Sequence, residues 1–119
     1  MRFEDLNAWQ VARELVVAVY ELGKRGGLVR DYGLKNQLQR AAVSVMTNVA
    51  EGFERSSAAE KIQFYNIARA SCGEVRSLLY VVKDVFPECA ESVDRVHSLC
   101  NDAGRLISGL MHSTQKRKT

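Results

Sequence analysis

The stretch from Tyr32 to Gly52, YGLKNQLQRAAVSVMTNVAEG, constrains the fold more than any other part of the chain. Leu34, Leu38, Ala41, Val45 and Val49 recur at steps of four and three, the spacing of a core-facing helical stripe. Ala42, Val43, Met46 and Ala50 fill the other sides, and between Ala41 and Ala50 only Ser44, Thr47 and Asn48 are polar. A helix that is apolar nearly all round is covered nearly all round. A small bundle normally leaves one face of each helix in water, so the pattern predicts cover from something beyond the chain's own core. The polar exceptions are themselves ordered. Arg40, Ser44, Asn48 and Glu51 step by four, four and three, which puts them in one line.

The flanking segments read as three more helices. A first helix is expected from about Asp5 to Lys24, with Leu6, Trp9, Val16 and Tyr20 on one stripe and Ala8, Ala12, Leu15, Val19 and Leu22 beside it. Gly26-Gly27 stops it, because glycine readily takes the left-handed conformation found past helix ends. Asp31 is placed to cap the second helix and Gly52 to end it. Glu51 then opposes the helix dipole in the last turn, so it needs a partner or a task. Ser57-Ala58-Ala59-Glu60 has the form of a capping box and opens the third helix. There Phe64, Ala68, Ser71, Val75, Leu78, Val82 and Val85 form a core stripe, and Tyr65, Cys72, Leu79 and Phe86 a second apolar stripe. Pro87 ends this helix. In the fourth helix, from Glu88 or Ser92 to Met111, Val93, Val96, Cys100, Ala103, Ile107 and Leu110 form a heptad-like seam. Residues 112–119, with Lys116, Arg117 and Lys118, are expected as a disordered basic tail. Four amphipathic helices joined by short connections predict one all-α domain over residues 1–119, an antiparallel up-down four-helix bundle.

Composition narrows the class. A chain of 119 residues fits one domain with a modest core, and 46% hydrophobic with 26% charged residues is ordinary for a soluble protein. The net charge of +3 is compatible with nucleic acid without requiring it. Glu4 and Asp5 interrupt any signal-peptide pattern. No apolar run approaches the roughly 18 residues that a membrane span needs, so no membrane partner is expected. Cys72, Cys89 and Cys100 are odd in number and lack Cys-x-x-Cys spacing, which reads as reduced thiols in a cytoplasmic protein. Nucleophile motifs, glycine-rich phosphate loops and paired Glu-x-x-His carboxylates are all missing. The chain is therefore expected to be no enzyme and to carry no cofactor. His97 and Cys100 share a helix face and would make half a zinc site, but no second pair at metal spacing completes it, so no metal is expected.

Two constellations remain. If the second and third helices form a hairpin turning near Ser56 and Ser57, facing residues have numbers that sum to about 114. Arg40 is then expected opposite Glu74, and Ser44 opposite Ser71. Arg40, Ser44, Asn48, Glu51, Ser71 and Glu74 read either as a buried polar network that fixes helix register or as the lining of a binding pocket. Arg69, Arg76 and Lys83 repeat at seven on the third helix, bordering the Tyr65-Cys72-Leu79 stripe. With Lys116, Arg117 and Lys118 they read either as a solvated face or as a phosphate-contacting surface for RNA or another nucleic acid.

The run Tyr32-Gly33-Leu34, Gln37, Arg40-Ala41-Ala42-Val43-Ser44 and Asn48-Val49-Ala50-Glu51-Gly52 resembles the signature of the four-helix-bundle family named after the 23S ribosomal RNA intervening sequence. Phe3, Leu6, Trp9-Gln10 and Ala12 upstream extend the resemblance, as do Phe64, Ile67-Ala68-Arg69-Ala70-Ser71 and Glu74 downstream, so it covers roughly Phe3 to Val82. It implies an up-down four-helix bundle, a cytosolic setting and assembly into a ring-like homo-oligomer, a homopentamer. The family is named for insertions in rRNA genes, which is a location and no biochemical activity. The expected role is non-enzymatic binding of RNA or another nucleic acid. The alternative is a protein-binding adaptor, since distant bundles of similar architecture look like accessory factors of reverse-transcriptase complexes.

Overall fold

Helix α1 spans Asn7–Leu22, α2 Tyr32–Glu54, α3 Ala58–Val85 and α4 Ala90–Lys118. Short 3-10 turns at Phe3–Asp5, Gly26–Arg30 and Pro87–Cys89 precede α1, α2 and α4. The computed structural model describes residues 1–118, the side chain of Lys118 excepted, and no strand occurs among them. Around the bundle the order is α1, α2, α3, α4, and α4 packs back on α1 to close the square. The result is an elongated body of 49 × 20 × 17 Å. Among the described residues no helix is long and apolar enough to cross a membrane.

The helix boundaries follow local chemistry. Gly26 takes φ +48°, the left-handed conformation that breaks the chain after α1. The Asp31 carboxylate accepts a 3.1 Å hydrogen bond from the Leu34 amide and caps α2. The Ser57 hydroxyl accepts from the Glu60 amide at 3.2 Å and caps α3. The reciprocal half of the expected capping box is replaced: the Ser57 hydroxyl donates to the Glu60 carboxylate at 3.1 Å. Gly52 does not end α2, which runs two residues further. Its terminal carbonyls are met from α3, where Lys61 Nζ donates to Phe53 O at 2.6 Å. The basic tail also departs from expectation. No Gly or Pro follows Gly109, and Gln, Lys and Arg are good helix formers, so α4 continues to Lys118 with Thr114 Oγ1 bonded to Leu110 O at 2.8 Å.

The core settles which stripe faces inward. In α1 it is Ala8, Ala12, Leu15, Val19 and Leu22, joined by Ala18, while Tyr20 of the other stripe is exposed. In α3 the buried positions are Tyr65, Ala68, Ser71, Cys72, Val75, Leu79 and Val82. Tyr65, Cys72 and Leu79 thus belong to the chain's own core and are no surplus surface. On α2 the same holds for Leu38, Ala41, Ala42, Val45 and Val49, and Val43, Met46 and Ala50 are half-buried. Apolar surface is instead left on α3 at Ile67, Val81 and Val85 and on α1 at Val17 and Tyr20.

Gly52 marks the tightest helix contact. A Cβ there would stand 2.6 Å from Tyr65 Cε1 and 3.2 Å from Lys61 O. The Tyr65 ring is buried and has nowhere to swing. A Cβ at Gly104 meets nothing within 4 Å. Gly52→Ala should therefore lower stability by about 1–3 kcal/mol through overpacking. Gly104→Ala should raise it by about 0.5–1 kcal/mol through helix propensity. Denaturant unfolding checks both. Equal stabilisation by the two changes would remove the packing role of Gly52.

Candidate functional site

The polar line on α2 divides between the helix interface and the surface. Ser44 and Ser71 face each other as the hairpin arithmetic predicts, with their hydroxyls 2.8 Å apart. Asn48 Nδ2 donates to Ser44 Oγ at 3.0 Å and to Ser44 O at 2.9 Å. The serine pair joins α2 to α3, and Asn48 ties into it from one turn along α2. Arg40 and Glu74 do not join it. Both are exposed, and no ion pair links them among the described residues. Hairpin register fixes how high a residue sits along the bundle but not how far round the helix it points, and these two point outward. Glu51 finds its counter-charge locally, 3.1 Å from Arg55 Nη2, and the Arg55 guanidinium sits 4.5 Å from the Phe64 ring centroid. That cation offsets the unfavourable place of Glu51 near the helix end. The six residues therefore line no common pocket.

The cationic stripe occupies a different face. Arg69, Arg76 and Lys83 run along the α3 edge that meets α4. Arg69 and Arg76 line a groove of about 230 Å³ with Arg105, Asn101, Gly104 and Ser108 of α4, and Cys72 and Cys100 belong to the same lining. Arg76 and Lys83 continue into a smaller cleft of about 80 Å³ with Tyr80, Asp94 and His97. The Tyr80 ring is well exposed and meets the His97 ring edge-on at 6.5 Å between centroids. Arg69 donates to Asn66 Oδ1 at 3.0 Å, and Arg105 is paired with Asp102 at 3.1 Å. Lys116 and Arg117 lie on the last turns of α4, with Arg117 near enough to Tyr65 to act on its phenol electrostatically. The Lys118 side chain lies outside the described residues.

Arg105, Asn101 and Ser108 were not legible as partners of the stripe. The signal was present in the turn at Phe86-Pro87, which sets α3 and α4 antiparallel and brings Cys72 level with Cys100. A depression of about 840 Å³ between α1 and α4 mixes Glu4, Glu14 and Glu21 with Arg13, Arg25 and Arg95. Its charges offset one another. Among the described residues no group of three or more His, Cys, Asp or Glu side chains gathers as a metal site.

The sequence profile of the 23S rRNA-intervening sequence protein family matches residues 4–109. The chain belongs to this family. The match runs past Pro87 and takes in most of α4, beyond the segment that carries the signature. A crystal structure of a protein of unknown function from the S23 ribosomal protein family of Bacteroides thetaiotaomicron VPI-5482 superposes with a TM-score of 0.78. It is 17% identical, and the alignment covers 87% of this chain and 97% of that one. At that identity the likeness establishes the bundle fold alone. No curated protein matches the chain. The 23S rRNA-intervening sequence signature maps onto this bundle in two ways. Ser44, Gly52 and Ser71 hold α2 against α3, with Asn48 bonded to Ser44 within α2, whereas Arg40, Ile67 and Glu74 stand exposed.

The serine pair is open to a double-mutant cycle. Ser44→Ala and Ser71→Ala should show a coupling of about 0.5–1.5 kcal/mol, the net worth of a part-buried hydrogen bond. Coupling indistinguishable from zero would mean that the pair adds no stability beyond its separate contacts.

Proposed function

We propose that this chain is a non-enzymatic, self-associating protein that binds RNA through its α3–α4 face. One observation carries the reading. Arg69 and Arg76 of α3 converge with Arg105 of α4 on one groove that no acidic side chain lines. Guanidinium groups match phosphate oxygens in geometry and charge. Tyr80 and His97 add exposed or half-exposed rings beside Arg76 and Lys83, which suits unstacked bases of a single strand. No base-reading motif accompanies them, so contacts would go mainly to phosphates and sequence preference would be weak.

Self-association is the second part of the proposal, and an exposed apolar strip supports it. Ile67, Val81 and Val85 remain exposed on α3 with half-buried Leu78 between them, and Arg40 and Glu74 lie open nearby without an ion pair among the described residues. An apolar strip of this kind suits an interface between copies. The family resemblance favours a pentamer for that assembly. Five copies at +3 each carry +15, and cyclic symmetry would repeat the arginine groove around the assembly.

Titration of labelled single-stranded RNA at several salt concentrations tests the proposal. The slope of log K against log salt should be about −0.7 per phosphate contacted. Arg69→Glu, Arg76→Glu and Lys83→Glu together should abolish binding while circular dichroism stays unchanged. Light scattering on the free protein should give several times the mass of one chain, and Val81→Asp with Val85→Asp should reduce it. A wild type that binds no RNA at low salt would sink the RNA reading and favour a protein-binding adaptor, such as an accessory factor of a reverse-transcriptase complex. A monodisperse monomer at micromolar concentration would remove self-association.

A further inference from the structure

Two of the three thiols meet where α3 faces α4. Cys100 Sγ donates to the carbonyl oxygen of Cys72 at 3.2 Å, which sets the Cys100 thiol beside the Cys72 side chain. Both cysteines are free and buried, yet both line the arginine groove. The wall is low at Gly104, where an added Cβ would meet nothing within 4 Å. A molecule little larger than water therefore has a short path to the sulfurs. Cys89 differs. It packs at the far turn with its Sγ 3.7 Å from Arg25 O, beside neither of the other thiols.

The two facing thiols have unequal chemistry. The neighbouring Cys100 thiol holds the Cys72 thiol below its ordinary pKa against the opposing effect of burial, and the Arg76 guanidinium helps. The same interaction between the two side chains, then burial, pushes Cys100 up, so it keeps its proton. Burial, with the Glu88 charge behind it, pushes Cys89 up as well. Thiolates are the nucleophiles, so Cys72 is the one poised to react.

We propose that Cys72 and Cys100 form an oxidation site at which a hydroperoxide converts the facing thiols to a reversible disulfide joining α3 to α4. The Cys72 thiolate attacks the distal peroxide oxygen. The O–O bond breaks, Cys72 becomes a sulfenic acid, and the departing alkoxide or hydroxide takes up a proton from water. Cys100 sulfur then attacks the sulfenic sulfur, the S–O bond breaks, and the Cys100 proton leaves with that oxygen as water. Two thiols are oxidised by two electrons, and one hydroperoxide is reduced to an alcohol or water. The proposal stands apart from RNA binding, since it needs only the two sulfurs and the opening above them.

The test uses the whole chain. Wild-type protein is treated with hydrogen peroxide, unreacted thiols are alkylated in denaturant, and the chain is digested without reductant. Titratable thiols should fall from three to one per chain, with the peptides of Cys72 and Cys100 linked and Cys89 alkylated. Dithiothreitol should restore all three. In Cys100→Ser the Cys72 sulfenic acid should persist and be trapped by dimedone, whereas wild type traps little. Three thiols remaining after peroxide, a link between chains, or sulfinic acid at Cys72 without a link would each overturn the proposal. The wild-type peptide map decides the matter even if the variant fails to fold.

Discussion

The close approach of α2 and α3 is the constraint on which the rest depends. It is set by small residues. Ala41, Ala42 and Gly52 on α2 and Ala68 and Ser71 on α3 are all buried, and the Tyr65 ring lies against the bare Cα of Gly52. Only at such a distance can two serine side chains, each one carbon and one oxygen long, meet at 2.8 Å. The hydrogen bond follows from the spacing rather than creating it. The same closeness lets Lys61 reach back over the turn and satisfy the carbonyl of Phe53. Packing of this quality, more than hydrogen bonding, supplies the net stability of a small bundle.

With that contact fixed, the remaining surfaces divide the molecule. The α2–α3 outer face holds the open Arg40, Glu74 and Ile67. The α3–α4 face holds the arginine groove with its pair of thiols. The two edges of one helix thus carry different chemistry, and α3 is the element common to both. A change at the inner positions of α3 would disturb both faces, whereas changes at its edges can act separately.

Much of this was legible in the sequence, because helix periodicity is a property of the chain alone. The cap at Asp31, the turn at Ser57, the stop at Pro87 and the seam of α4 follow from local chemistry, and the meeting of Ser44 with Ser71 follows from hairpin register. What failed required knowledge of where around each helix its neighbours sit. Two apolar stripes on α3 satisfied the same periodicity, and only the positions of α2 and α4 decided that Tyr65, Cys72 and Leu79 turn inward. Arg40 and Glu74 stand at matching heights yet point away from the interface. Gly52 read as a terminator because its packing partner comes from another helix. The groove escaped notice for the same reason, since Arg105 belongs to α4.

The four helices differ in how they are tied. Three of the four packed pairs are neighbours in the chain, and only α1 with α4 joins distant segments. At one end that closure rests on the Gly27 amide bonded to Glu88 Oε2 at 2.9 Å and on the Phe86 ring packed against Gly27. α1 is also the shortest of the four α-helices, and its stability comes mainly from its packed face. The bundle therefore has one seam, between α1 and α4, that no short connection holds. Parting that seam would uncover the facing sides of α1 and α4, whereas the serine contact lies between α2 and α3 and the arginine groove between α3 and α4.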